Sequence, residues 1–527
     1  MMKRNLLLLL ATMTVSAGFA QLGGPGYYRV QNKTTSRYIT MVDNRGAVDV
    51  ASQTADLGAI QTIKGFENVV SNPGSVIYIT PSGDGYMFKC QGTSTKDIIE
   101  YDLRIMNMGD GTYSAYASSH GLTKYLNDSY GSAETGYVDT NDSRTRAWYI
   151  LPLGTDGDNY FAVTPDVNAG SNYYTTFYAS FPFSFTATDS KAYIVKEIDE
   201  EMGAVIWQEV TGSVPASTPV IIESASADAA NNKLNILTST PSAVSGNLMK
   251  GVYFNSGVAG HVNRVVYNAK TMRVLGKMSD GSIGFVKASL DYIPANTAYI
   301  TVSTTAPNEL RLVDRAGYEA LLKAPVTVKV TQSDREYGDE NPSFYYTVEG
   351  GSLKGRPVMS CAATPTSPVG EYDITIEKGS IKNENVTLVP GKMSIKKAML
   401  EVEVANEVRY VGYPNPTFII VYEGWKNGEN ESVLTKQAVA TTEATEESPI
   451  GVYEIVVSGA ESPNYDFNYT NGTLTIEEDP SGIESIMKKQ AVDVYSVYGY
   501  KVRSQVRSLG ELPKGLYIIN GKKVMVK

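Results

Sequence analysis

The sequence predicts an all-β, multidomain chain of small β-sandwich or β-barrel-like modules, two of them tandem repeats. Three observations carry this. The 527 residues include 36 Tyr and 47 Gly but only 3 Trp, with 42% hydrophobic and 19% charged. Tyr and β-branched residues suit pleated, half-exposed surfaces, while Gly and Pro punctuate turns. Apolar residues also alternate over short runs between Gly, Asp and Asn clusters, the period of a strand with one buried face. Finally, "REYGDENPSFYYTVEGG" from Arg335 returns at Arg409 as "RYVGYPNPTFIIVYEGW". The length alone calls for roughly three to five domains.

The first 20 residues read as a secretory signal. Lys3 and Arg4 form the charged region, Leu6 to Leu10 open the apolar core, and cleavage is expected between Ala20 and Gln21. The apolar run is too short for a bilayer span, no cysteine follows it, and no later segment reads as an integral membrane segment. The expected location is secreted or the outer cell surface. Cys90 and Cys361 fall in different expected domains, so both read as small buried hydrophobes rather than a disulfide framework. Net charge is −10, yet residues 487–527 hold nine Lys/Arg against two Asp/Glu. The remaining body is strongly acidic, which argues against nucleic acid as a partner.

Residues 21–171 are expected as an N-terminal β domain of strand pairs, among them "YYRVQNKTTSRYITM" from Tyr27 and "RAWYILPLGTDGDNYFAV" from Arg146. The opening phrase resembles the first lobe of a ricin-type β-trefoil, but the Gln-x-Trp signature of that family is missing. Ala147-Trp148-Tyr149 is the nearest approach. Residues 172–313 form a second β domain in which "VPASTPVII" from Val214 echoes "IPANTAYIT" from Ile293. In each, a proline-started turn leads into an apolar strand. Residues 314–324, with Asp314 as cap, give the best helical window and an interdomain joint.

The repeats span 325–398 and 399–478. Gly338 and Gly412 supply positions for φ > 0. Asn341-Pro342 and Asn415-Pro416 make rigid turns, because proline fixes its own φ and holds the preceding residue extended. Phe344 and Phe418 then anchor the next strand. The Tyr-Gly-x-x-Asn-Pro-x-Phe phrase, the Ser-Pro-x-Gly-x-Tyr phrase from Ser367 and Ser448, and a closing Gly-x-x-x-Ile strand resemble MBG ("mostly β, glycine") repeats. Those repeats occur in large surface proteins of Gram-negative bacteria. The second copy departs from the pattern at Val411-Gly412, where Tyr is lost.

Residues 479–527 comprise a linker and a basic tail. Tyr495, Gly499 and Val502, then Leu512, Gly515 and Tyr517, resemble the C-terminal sorting domain of type IX secretion. The match covers about 40 residues and lacks the earlier half of that domain. It implies the secretion machinery as a partner.

Little in the sequence points to catalysis. The two histidines, His120 and His261, lie in different expected domains, which leaves little for a Ser-His-Asp or Cys-His arrangement, since that needs a base within hydrogen-bond reach of its nucleophile. HExxH, GxSxG and P-loop motifs are absent, and "DGDN" at Asp156 lacks a full calcium-loop array. No catalytic residue, metal or cofactor is expected. The functional lead is aromatic: Tyr113, Tyr125, Tyr130, Trp148, Tyr173, Tyr174 and Phe177 are candidates to stack on a sugar. The expected function is therefore non-catalytic adhesion to a glycan or host or matrix protein, with the repeats as spacers. A structural matrix component and a hydrolase with its site in residues 27–313 remain as alternatives.

Overall fold

The computed structural model describes residue 22 and residues 24–41, 60–83, 85–90, 104–119, 122–129, 134–139, 146–254, 265–478 and 482–526. The signal residues Ala20 and Gln21, together with Tyr130, His120 and His261, lie outside the described residues. Strands dominate throughout, as the period-2 pattern predicts. The chain divides into two compact units. The first runs to Ala324 and takes in Gly351–Lys354 and Lys382–Asn385, and the second holds the rest.

In the first unit, one sheet gathers the strands from Gly26–Asn32 to Trp148–Pro152, and these two pair antiparallel with each other. A second sheet orders Val167–Ala169, Asn172–Phe177, Val220–Ser224, Lys191–Asp199 and Ala204–Glu209, then Glu309–Val313 and four further strands. Core packing crosses the expected boundary at residue 171. Val76 shares a cluster with Phe161, Phe177, Phe181 and Val220, while Phe254 packs among Val30, Ile77 and Trp148.

A buried cation ties the first sheet together. Arg29 is fully buried and donates to Ser75 Oγ (3.2 Å), Asn159 Oδ1 (3.0 Å) and the carbonyls of Tyr160, Val69 and Val70. Its guanidinium lies over the Phe66 ring at 5.1 Å. Desolvation lowers its pKa to about 10, the cost of keeping a charge among neutral acceptors. A second buried pair joins Arg37 to Asp128 at 3.0 Å. It needs Gly136, since a Cβ there would sit 2.5 Å from the Arg37 guanidinium.

The helix Arg315–Lys323 forms where the sequence places it, with Asp314 Oδ1 accepting from the Gly317 N–H at 2.7 Å. Tyr318 on this helix is buried and donates to Asp199 at 2.5 Å, and Lys354 Nζ reaches both at 2.6 and 2.7 Å. Burial works to raise the Asp199 pKa, but hydrogen bonds from Lys354, Tyr318 and the Met202 N–H hold it below the carboxylate range.

In the second unit, each repeat folds into a three-stranded and a four-stranded sheet. In repeat 1 these are Tyr346–Glu349, Val326–Val330 and Val386–Val389, then Ser333–Glu336, Gly391–Lys396, Gly370–Glu377 and Val358–Cys361. In repeat 2 they are Ile420–Glu423, Ala398–Val404 and Tyr465–Thr470, then Glu407–Tyr410, Gly472–Glu477, Gly451–Ser458 and Val439–Thr442. The Ala398–Val404 strand alternates strictly and buries every second residue. Ala398 and Leu400 join the repeat 1 core with Val330, Ile374 and Ile395. Val402 and Val404 enter the repeat 2 core with Ile455, Leu474 and Ile476. The two repeats are therefore fused through one strand. Each fully buried Val or Leu here is worth about 1.5–3 kcal/mol.

The tail folds as a helix, Ile483–Lys489, and a sheet ordered Lys501–Val506, Val492–Ser496, Gly515–Ile519, Lys522–Val526. Leu512, Tyr517 and Ile519 lie in its core.

Candidate functional site

Three of the seven aromatic candidates, Trp148, Tyr174 and Phe177, are buried, which corrects the sugar-stacking expectation for these three. Trp148 is 1% exposed and its indole N–H donates to the Leu126 carbonyl at 2.8 Å. Phe177 lies in the second core. Tyr174 is buried, with its hydroxyl on Glu223 Oε1 at 2.9 Å. Tyr113 packs against the first core. Tyr125 is half-buried against Tyr116, with Arg146 over its ring at 4.8 Å, and Tyr173 is also half-buried. The physical reason is that a Tyr-rich strand with two packed faces spends its rings on cores.

Glu223 organises a polar cluster that the sequence does not reveal. It accepts from Asn172 Nδ2 (2.6 Å), Tyr174 and Tyr193 (2.6 Å), and the Tyr193 ring stacks on Trp207 at 4.0 Å. Burial, then hydrogen bonding to the carboxylate, pushes the Tyr174 pKa up to about 12 and raises Tyr193 as well. Both phenols stay protonated donors, so the cluster is satisfied internally.

Among the described residues, beside a cleft of about 450 Å³ lined by Lys196, Gln208 and Ser245 without aromatic rings, the first unit contains a cleft of about 440 Å³ that aromatic residues line, within the range of small-molecule sites. Its walls include Glu67, Asn68, Ser71, Asn72, Tyr253 and Asn296. The second echoed turn lines it through Ala295 and Asn296. Ser217 and Asn296 occupy the same place in the "PAST" and "PANT" phrases, and both take left-handed φ, +58° and +57°. The Ser217 N–H donates to the Ala179 carbonyl at 2.8 Å, and Asn296 exchanges hydrogen bonds with the Tyr178 backbone at 3.0 and 3.1 Å. The Tyr178 ring thus stacks on Tyr253 at 4.1 Å, and Gly251 makes room for it, since a Cβ there would lie 2.3 Å from that ring. The Tyr253 hydroxyl shares a hydrogen bond with Ser217 Oγ at 2.6 Å, and burial raises its pKa.

The opposite wall is a tight turn. Gly74 sits so close to the Met41 carbonyl that a Cβ would approach it to 2.1 Å, and the Gly74 N–H donates to Asn72 Oδ1 at 2.9 Å. The Ser71 hydroxyl is enclosed and has no hydrogen-bond partner among the described residues, a polar atom suited to a ligand's own donor or acceptor. Of the described lining residues, Glu67 is the one carboxylate. The echo was the available signal for this site, but what its turns hold required the fold.

In the second unit, the repeated phrase is a clamp as well as a turn. Gly338 and Gly412 have φ of +90° and +80°. Asn341 Oδ1 accepts from Arg335 Nε at 2.9 Å while its Nδ2 donates to the Ala363 carbonyl at 2.7 Å. Asn415 does the same with Arg409 (2.7 Å) and Ala444 (2.6 Å). Both arginines are nearly buried and also bind the Thr364 and Thr445 carbonyls. Pro342 and Pro416 follow the clamping asparagines, and Phe344 and Phe418 pack half-buried on the two cores.

A second device appears in three modules. Tyr372, Tyr453 and Tyr517 donate to the carbonyls of Pro368, Pro449 and Pro513, four residues earlier, at 2.7, 2.9 and 3.0 Å. In two of them the ring lies against the glycine two residues before it: a Cβ on Gly515 would sit 3.2 Å from the Tyr517 hydroxyl, and one on Gly451 3.5 Å from the Tyr453 ring. The Leu512, Gly515 and Tyr517 pattern of the tail thus has a structural cause. Tyr495 is half-buried beneath Lys501, Gly499 turns the chain at φ +86°, and Val502 is 48% exposed.

Among the described residues no group of His, Cys, Asp or Glu could hold a metal ion, and no helix is long and apolar enough to cross a membrane. No curated protein matches the chain. Residues 326–394 and 400–475 each match the family model of the MBG domain (YGX type). The two repeats are therefore tandem MBG domains.

Proposed function

We propose that the chain is an exported surface protein that binds a short glycan in its first unit, with the two MBG domains as spacers. The observation that carries this is the cleft beside Tyr253. It combines an aromatic wall with amide and carboxylate groups and an enclosed, unsatisfied Ser71 hydroxyl. Sugars need that mixture, because their CH faces stack while their hydroxyls seek hydrogen bonds. A glycan array probed with the full chain at about micromolar concentration tests the reading. Binding should be lost in Tyr253→Ala and retained in Tyr113→Ala, and an array clean across all glycans refutes it.

The leader-like residues 1–20 and the basic tail support export to the outer surface, with the tail engaging the secretion machinery. Deleting residues 487–527 should leave the first unit folded and change where the protein accumulates on cell fractionation. Unchanged surface exposure of the truncated chain would exclude the sorting role.

A further inference from the structure

The two MBG domains carry the same trailing surface, and in repeat 1 it is covered. Tyr337, beside the Gly338 turn, is 3% exposed, and its hydroxyl donates to Glu429 Oε1 at 2.6 Å. Its ring meets Tyr465 edge-on at 5.5 Å. Lys426 packs on Gly338 and pairs with Asp339 at 2.9 Å, and the Val369 N–H donates to Asn464 Oδ1 at 3.1 Å. In repeat 2 the matching positions are open. Val411 and Ile450, the counterparts of Tyr337 and Val369, are 39% and 58% exposed. A Cβ at Gly412 would meet nothing within 4 Å.

The adjoining sheet face changes character between the copies in the same way. In repeat 1 it carries Asp334, Glu336 and Glu371, with Lys396 paired to Asp334 and Lys392 to Asp373. Identical register positions in repeat 2 hold Val408, Tyr410 and Val452, 57%, 39% and 69% exposed. Charges in a salt-bridged lattice have become β-branched and aromatic residues in water, the composition of a contact face.

Charge indicates what covers it. Residues 399–478 hold fourteen Asp/Glu against three Lys/Arg, where residues 325–398 hold nine of each. Residues 487–527 hold two against nine. That C-terminal domain also bears the largest exposed rings of the described residues: Tyr498 and Tyr500 are 84% and 76% exposed, beside exposed Lys501, Val502 and Arg503. We propose that the open face of repeat 2 docks the C-terminal domain of a second copy. The Tyr498–Val502 turn covers Val408 and Val452, and its cations meet Glu454 and Glu477. Two repeat 2 faces would repel one another, so the contact is head-to-tail, and such a contact propagates into chains rather than closing as a dimer.

Sedimentation of the full chain from about 1 to about 100 µM tests this. The wild type should associate, and association should weaken at least about tenfold at high salt. It should weaken likewise in Val408→Asp/Tyr410→Glu/Val452→Glu, whose residues repeat 1 carries at the same register, and in Tyr498→Ser/Tyr500→Ser. Circular dichroism melts should match wild type in both variants. Mixing the two variants should give dimers that grow no further, because one supplies an intact tail and the other an intact face. A wild type that stays monomeric, association that strengthens with salt, or a mixture without dimers overturns the proposal. Cross-links confined to one chain at monomeric mass overturn it too, since they would place the tail on its own repeat.

Discussion

Replacing Asn415 with alanine removes both halves of a clamp. Arg409 Nε loses an acceptor at 2.7 Å, and the Ala444 carbonyl loses a donor at 2.6 Å. Arg409 is only 6% exposed, so water does not readily replace the lost partner. A hydrogen bond from a charged donor is worth about 1.5–3 kcal/mol and a neutral one about 1 kcal/mol, so a loss of about 3 kcal/mol is expected. Hydrogen exchange over the peptide containing Ala444 and Thr445 reads this directly, and protection there should fall about 100-fold. Asn415→Asp keeps the acceptor and the turn preference but loses the donor, so about half the effect should remain. Asn341→Ala should transfer the effect to the Ala363–Thr364 peptide, because that repeat has its own clamp. A loss below about 0.5 kcal/mol in Asn415→Ala would show that the asparagine serves the turn alone.

Gly412→Ala should cost about 1–2 kcal/mol, the left-handed penalty alone, whereas Gly338→Ala should cost clearly more. Its Cβ would lie 2.3 Å from Lys426 at the joint, and paired thermal melts compare the two. Arg29→Met should destabilise the first unit by about 3–5 kcal/mol in urea titration, since five hydrogen bonds are withdrawn and their buried acceptors orphaned. The Asp199–Lys354 pair sets a pH window. The folded pKa of Asp199 lies below the ordinary aspartate value of 3.8 and that of Lys354 above the ordinary lysine value of 10.5. Its stabilisation is therefore complete between those values, fades as pH falls through the folded Asp199 pKa, and is lost above 10.5 as pH rises through the folded Lys354 pKa. Lys354→Met should flatten the acid limb of a melting-temperature profile, and an unchanged limb would refute the assignment.

The MBG domains were legible because their information is local. Strict alternation from Ala398 to Val404 fixes which side chains enter the core, and the glycine turns announce positive φ. The clamp was not legible, because Asn341 meets Ala363 and Asn415 meets Ala444 across 22 and 29 residues. An Asn-Pro pair looks the same with or without that partner. Trp148 and Phe177 misled for a related reason. Alternation shows that one face of a strand is apolar, but not whether a second layer covers the other. The "PAST" and "PANT" echo marked two turns correctly, yet only tertiary structure brings them together to hold Tyr178.

The strand pairing within each MBG domain also governs its response to a pull. Val326–Val330 runs parallel to Val386–Val389, and Ala398–Val404 runs parallel to Tyr465–Thr470. A load applied to the two ends of a domain drags such partners past each other along their length. All the rungs between them then bear the force together, instead of parting one at a time as in a peeled hairpin. Because Ala398–Val404 belongs to both cores, tension passes from one domain to the next without a slack linker to absorb it. Under tension, that makes the pair a stiff link resistant to rupture.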